Sequence, residues 1–591
     1  MLPLRSEIEK KDKWKIEDLF NTDEDFLKEC DRIRDRLKKN PEYKGRLAKS
    51  VEALYECLCE MDSLGNMVQR VYVYAFQKYY EDTANTTYQD YSGKAQSISV
   101  EYDNYFAFVE PEILEIPYDV LDNFFMSDCG IRKYRQYIDN MLRRKKHILS
   151  ETEEKLLAKA GKMSSGAQDI FSSFNNADVR FGNVGEEELT HGNYIRFLQS
   201  YDRNVRREAF EKMYAKYKEF KNTLASAYNA NVEQASFFAQ ARKYGSTIEA
   251  ALDDANIPVQ VYDRLIEVVH RNLGLLHRYV NIRKKLLGVE ELHMYDLYVP
   301  LVEDYDEKIT FEEAKEKVLE GLAPLGAEYA SILREGYNNG WIDVRENRGK
   351  RSGAFSWGAY GTHPYVFLNY QDNLDNVFTL AHEMGHAIHT YMSNASQPYV
   401  YSGYKIFVAE VASTCNEALL IRHLIDNADT KKEKAYLINH FLEQFRGTLF
   451  RQTMFAEFER EAHRMAEAGN VLTEEVLCDL YRELNRKYFG EGICVDEEIA
   501  YEWARIPHFY TPFYVYQYAT GFSAAISISQ DILDRGMPAV EGYFKFLRGG
   551  SSDYPIELLK YAGVDMMSTQ AVENAMKVFE QYLDEFEKIM L

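Results

Sequence analysis

The chain has little that would staple or interrupt it. Seven cysteines are scattered over 591 residues, at positions 30, 57, 59, 129, 415, 478 and 494. Their number is odd and none is spaced as CxxC, which argues against a disulfide framework or a cysteine-held metal and for reduced thiols in a cytoplasmic protein. Prolines are few, 13 in all, and several (Pro324, Pro364, Pro398, Pro507) fall at expected turns. No run of eighteen apolar residues occurs, so no membrane-spanning helix is expected. Lys10-Lys11-Asp12-Lys13 stands where a signal-peptide core would lie. Positive charge is also in deficit: 94 Asp plus Glu face 71 Lys plus Arg, a net of −23. Such a surface excludes nucleic acid and anionic membranes as expected partners. Internal repeats and low-complexity linkers are absent, and nothing in the sequence sets the oligomeric state.

What is present is helical periodicity. Apolar residues recur at three- and four-residue spacing over Asp25–Lys39, Val51–Val73, Val261–Leu287, Phe311–Leu322 and Lys431–Ala468. The chain is therefore expected to be mainly α. A polar, glycine-containing break at residues 182–193 reads as a hairpin between two helical halves. It places an N-terminal helical lobe at 1–200 and a catalytic lobe at 201–591. One stretch departs from the helical pattern. Residues 351–370 (RSGAFSWGAYGTHPYVFLNY) are rich in glycine and aromatics, and Tyr365–Tyr370 suits a strand. A small sheet there either offers an edge to an extended peptide, with Gly361 and His363 on the substrate side, or is an ordinary hairpin under a helix.

The most informative segment follows at once: His382-Glu383-Met384-Gly385-His386, with Glu410 further on. Residues four apart lie on one helix face, so the two imidazoles can share a metal ion. Glu383 is offset by one residue, so its carboxylate can reach a water there without becoming a ligand. The motif alone arises by chance in roughly 2% of chains of this length. A second helix over Phe407–Ile425 strengthens it, since Glu410 lies beside small residues (Ala409, Ala412, Ser413) that let two helices approach closely. Two imidazoles and one carboxylate match a catalytic zinc site, one ion per chain. Glu417 is either a partner for a ligand histidine's second ring nitrogen or a solvated charge. His389 is either a substrate-side donor or a packed imidazole. The cluster Ile506–Tyr518 (IPHFYTPFYVYQY) holds His508 and several tyrosines that can donate hydrogen bonds to an oxyanion, or else pack as core aromatics.

The stretches THPYVFLNY, LAHEMGHAIHTYMS, VAEVASTCNEALL, RGTLFRQTMFAEFE, IPHFYTPFYVYQYATG and FLRGGSSDYPIELLKYAGVDM together closely resemble the oligoendopeptidase F branch of the thimet-oligopeptidase family of zinc peptidases. The resemblance covers roughly residues 200–590, with a weaker echo in WKIEDLF at 14–20. It implies two helical lobes enclosing a deep channel, with a small β-sheet beside the zinc helix. It implies His382, His386 and Glu410 as ligands, Glu383 as general base and His508 as a substrate-binding histidine. Tyr514 and Tyr516 carry over as oxyanion donors, and Tyr510 as a substrate contact. The glycine-rich loop that other branches carry before the catalytic tyrosines is not found here. The expected activity is hydrolysis of internal bonds in short peptides. Two alternatives are a metallocarboxypeptidase, for which Arg351, Arg446, Arg451 or Arg505 would bind the terminal carboxylate, and a non-catalytic helical binding protein.

Overall fold

Side-chain oxygens open many of the helices. Thr22, Ser50, Ser246, Asn373, Thr430 and Thr473 each accept from a backbone amide three residues on, and Thr310 forms a reciprocal pair with Glu313. The computed structural model describes residues 2–127, 129–302 and 308–591. It is mainly helical, with two small sheets. Packing divides the chain into two compact units that do not follow chain order. The first gathers Met1–Lys146, Glu307–Leu420 and Ile528–Gly563; the second gathers His147–Asp306, Ile421–Ser527 and Val564–Leu591. The expected boundary near residue 200 therefore falls inside the second unit.

In the first unit, helices Asp23–Leu37, Val51–Glu81 and Thr86–Phe106 share a core of Phe26, Leu54, Leu58, Val71, Tyr91 and Ile98. Beside it lies a three-stranded sheet in the order Ile342–Asp343, Pro364–Phe367, Phe355–Gly358. Its first pair is parallel and its second antiparallel, so Phe355–Gly358 is an edge. The strand expected at Tyr365–Tyr370 is shorter and starts one residue earlier, and the parallel strand Ile342–Asp343 was not legible in the sequence. Asp343 is buried between Arg5 and Lys350, whose Nζ lies 2.6 Å from its Oδ1, and the Arg5 guanidinium also reaches Glu81 at 2.9 Å. This cluster pins the N-terminal residues against the sheet.

The second unit packs Arg203–Glu219, Lys221–Ala241, Val259–Arg271, Leu273–Leu287, Glu474–Phe489 and Gln570–Met590 around buried tyrosines 214, 217, 228, 262 and 279. The single helix expected over Val261–Leu287 is broken at Asn272, whose side-chain amide donates to Val268 O at 2.8 Å. A local bond of this kind competes with the helical ladder. The helix expected over Lys431–Ala468 runs nearly its full length but contains a π turn at Phe445–Phe450. The hairpin at 183–188 is present, with Gly185 at φ +61° between its strands.

Candidate metal centre

The histidine helix runs Leu374–Ser396, capped by Asn373, and buries Val377, Leu380, Met384 and Ile388. The glutamate helix runs Ile406–Asp426. Gly385 brings the two together. A Cβ there would sit 2.6 Å from Ser413 Cα and 2.8 Å from Ala412 O, so no other residue fits without moving a backbone. Buried Asn416 adds a tether, donating to Ala381 O at 2.9 Å while accepting from Tyr329 Oη at 2.7 Å.

This approach converges three donors. His382 Nε2 and His386 Nε2 lie 3.2 Å apart, and Glu410 Oε2 lies 3.3 Å from the first and 3.5 Å from the second. Donors about 2.0–2.1 Å from one tetrahedral zinc ion would be about 3.3 Å from each other, so the donor set fits such an ion. The His382 Nδ1 atom faces Glu417 Oε1 at 2.5 Å, the geometry in which a carboxylate orients a ligand histidine. Burial disfavours the charged His382 ring, but hydrogen bonds to Glu410 and Glu417 outweigh it and raise its pKa well above the usual value. Burial likewise pushes the Glu410 carboxyl up, and its bonds to the two histidines bring it well below the usual range.

Glu383 is buried, and its Oε2 atom has no hydrogen-bond partner. Burial, with Glu410 and Glu417 adding to it, raises its pKa against the pull of His382 and His386.

Other residues singled out in the sequence stand elsewhere. His389 is 1% exposed, stacked on Tyr404 with ring centroids 3.8 Å apart, and burial pushes its pKa down to about 3. It packs as a neutral ring and does not open toward a substrate. His363 stacks on Trp341 and reaches Asp18 Oδ2 at 3.2 Å, so it ties the sheet to the N-terminal segment. Gly361 is exposed at φ +82° in the turn between two strands, with nothing near its Cβ position.

In the second unit, His508 groups with Tyr514 and Tyr518. The His508 and Tyr514 rings are nearly parallel at 5.9 Å, Tyr518 is edge-on to Tyr514 at 5.5 Å, and Tyr518 Oη lies 3.4 Å from His508 Nε2. Burial lowers the His508 pKa. Tyr510 is instead buried on Phe171 at 4.5 Å, and Tyr516 is 3% exposed beside Tyr262 at 5.0 Å. Tyr518 belongs to the cluster read in the sequence but was not singled out there, although its spacing of four from Tyr514 would bring both onto one face of a helical turn.

A second histidine–carboxylate group, His293, Cys494 and Asp496, also gathers ligand-type atoms. Its His293 Nδ1–Asp496 Oδ1 distance is 2.6 Å, that of a hydrogen bond, and Asp496 Oδ2 already accepts from Met294 N at 2.9 Å. His293 and Asp496 are thus already joined to each other and to the backbone by hydrogen bonds.

A mainly helical chain whose HExxH helix meets a glutamate on a neighbouring helix defines a metallopeptidase. The sequence matches the oligopeptidase F description over residues 112–181 and peptidase family M3 over residues 196–578. It is 48% identical to oligopeptidase PepF of Bacillus subtilis, across 100% of this chain and 89% of that protein. The crystal structure of oligoendopeptidase-F from Enterococcus faecium superposes with a TM-score of 0.74 at 38% identity, covering 96% of this chain and 99% of that one. A solved chain from Chlamydophila abortus gives 0.93 at 34% identity over the full length of both. The chain belongs to peptidase family M3. No helix among the described residues is long and apolar enough to cross a membrane.

Proposed function

We propose that this protein is a zinc-dependent oligoendopeptidase that hydrolyses internal bonds of short, unstructured peptides. The observation that carries the reading is the triangle of His382, His386 and Glu410 donor atoms with the unpartnered Glu383 carboxyl beside it. His382, His386 and Glu410 would hold one zinc ion per chain, with Glu417 orienting His382. Zinc, when bound, supplies Lewis acidity that polarises a carbonyl and lowers the pKa of a water. Glu383 Oε2 takes a proton from the attacking water and returns it to the nitrogen of the departing peptide. His508 and Tyr514 donate hydrogen bonds to the carbonyl oxygen as negative charge grows on it. Tyr510 and Tyr516, buried among other rings, support that segment by packing. Seven cysteines, none of them in a disulfide, support a cytoplasmic place of action.

The carboxypeptidase alternative needs a cation for the terminal carboxylate. Three of the four candidates are already committed: Arg446 to Glu443 at 2.6 Å, Arg451 to Glu502 at 2.6 Å, and Arg505 to Glu502 at 3.6 Å and the Tyr194 ring. Arg351 lies over Tyr80, its guanidinium 4.4 Å from the ring centre. An internally quenched peptide blocked at both ends separates the two activities. Cleavage within it is expected, whereas cutting restricted to unblocked peptides one terminal residue at a time would contradict the reading.

A further inference from the structure

In the middle of the helix Arg451–Glu467, Glu459 is fully buried. Its Oε1 accepts the Phe513 amide at 2.6 Å, its Oε2 has no hydrogen-bond partner, and it forms no ion pair among the described residues. Burial pushes this carboxyl well above its usual range, against the pull of the Phe513 amide. An apolar side chain would sit in such surroundings at less cost, which leaves the bond to Phe513 as the reason for a carboxyl here.

Phe513 is itself unusual. Its φ is +57°, a left-handed conformation that bulky residues avoid and that persists only where the surroundings enforce it. Its ring is anchored against His463 at 4.6 Å and Tyr262 at 5.8 Å, and its amide is held by Glu459. This residue lies between the short turn Pro507–Tyr510, which carries His508, and the helix Tyr516–Arg535, which carries Tyr518. The next residue is Tyr514, whose ring faces both.

We infer that Glu459 is a positioning residue for the reaction: by clasping the Phe513 amide it maintains the left-handed turn that sets Tyr514 against His508. The inference rests on the role proposed above for Tyr514. It does not require Glu459 to meet the substrate.

The test is steady-state kinetics on a doubly blocked quenched peptide, with zinc content and circular dichroism as controls, for Y514F, E459M, E459Q and the double variant E459M/Y514F. Methionine has a similar volume but no acceptor, and glutamine keeps one. If Glu459 acts through Tyr514, E459M lowers kcat about tenfold or more with KM within about twofold, and the double variant is within about threefold of Y514F. E459Q restores kcat to within about threefold of the wild type and its crystal structure keeps Phe513 left-handed. Normal kcat in E459M, or losses that multiply in the double variant, would overturn the positioning role while leaving Tyr514 as a donor. Normal kcat in Y514F would overturn the donor role itself. Should E459M not be recovered folded and zinc-loaded, E459Q decides: a tenfold loss of kcat, or Phe513 at negative φ, overturns the inference.

Discussion

His382 with Glu410 and His293 with Asp496 are both histidine–carboxylate pairs, with opposite meanings. In the first, nitrogen and oxygen stand 3.3 Å apart, and a third donor, His386 Nε2, stands 3.2 Å from His382 Nε2. In the second they stand at 2.6 Å with the remaining carboxylate oxygen already on a backbone amide. The first spacing suits donors facing a common ion; the second is a finished hydrogen bond. Composition cannot separate the two, and distance does.

The sharpest way to break this comparison is to remove a proton acceptor without removing a donor. Glu383→Gln should lower kcat by several orders of magnitude while zinc content stays near wild type, because the base is lost and the three donors remain. Near-normal turnover in this variant would refute the assigned mechanism. Next in size, Tyr514→Phe should cost about a hundredfold in kcat with little change in KM, since its bond forms mainly in the transition state. Tyr516→Phe, by contrast, should alter thermal stability and leave kcat near normal. Equal kinetic losses in both would show that burial of Tyr516 is no guide to its role. Replacing Glu417 with Gln should weaken zinc affinity about ten- to a hundredfold, measurable by competition with a chelator.

The histidine helix, the glutamate helix and their facing residues were legible because each follows from local rules. Spacing of four puts His382 and His386 on one face, and small residues at 409, 412 and 413 allow close approach. The role of Gly385 as the contact point was not, since it depends on Ser413 from a different helix. His389 looks like a site residue in the sequence because it neighbours the motif, and only its burial against Tyr404 shows a packed ring, whereas His363, which the sequence offered with the sheet edge, stacks on Trp341. Tyr510 and Tyr516 differ from Tyr514 for the same reason. The left-handed turn at Phe513 re-aims the segment, and no periodicity announces a positive φ at phenylalanine. The interleaved units were likewise hidden, because segments far apart in the chain join through long-range packing.

Smaller effects sharpen the comparison from the hydrogen-bonded side. Glu457 and His270 form another pair at 2.6 Å. Burial pushes the Glu457 carboxyl up, but hydrogen bonds from His270, Lys487 and Tyr488 outweigh it and hold the pKa at about 2, against 4.5 ordinarily. The unfolded chain therefore binds the extra proton first. The stabilisation, on the order of 3 kcal/mol, is complete above pH 4.5 and is lost as pH falls toward 2. Glu457→Gln should flatten that part of the stability–pH curve, as read by urea denaturation. Asp496→Asn should cost about 1–3 kcal/mol of stability, with no change in zinc content or kcat.

Metal content per chain, measured by elemental analysis of the purified protein and its variants, bears most directly on the central claim. One zinc ion per chain in the wild type, one in His293→Ala and in Cys494→Ser, and none in His386→Ala is the predicted pattern. Two ions per chain, or a full ion retained in His386→Ala, would contradict it.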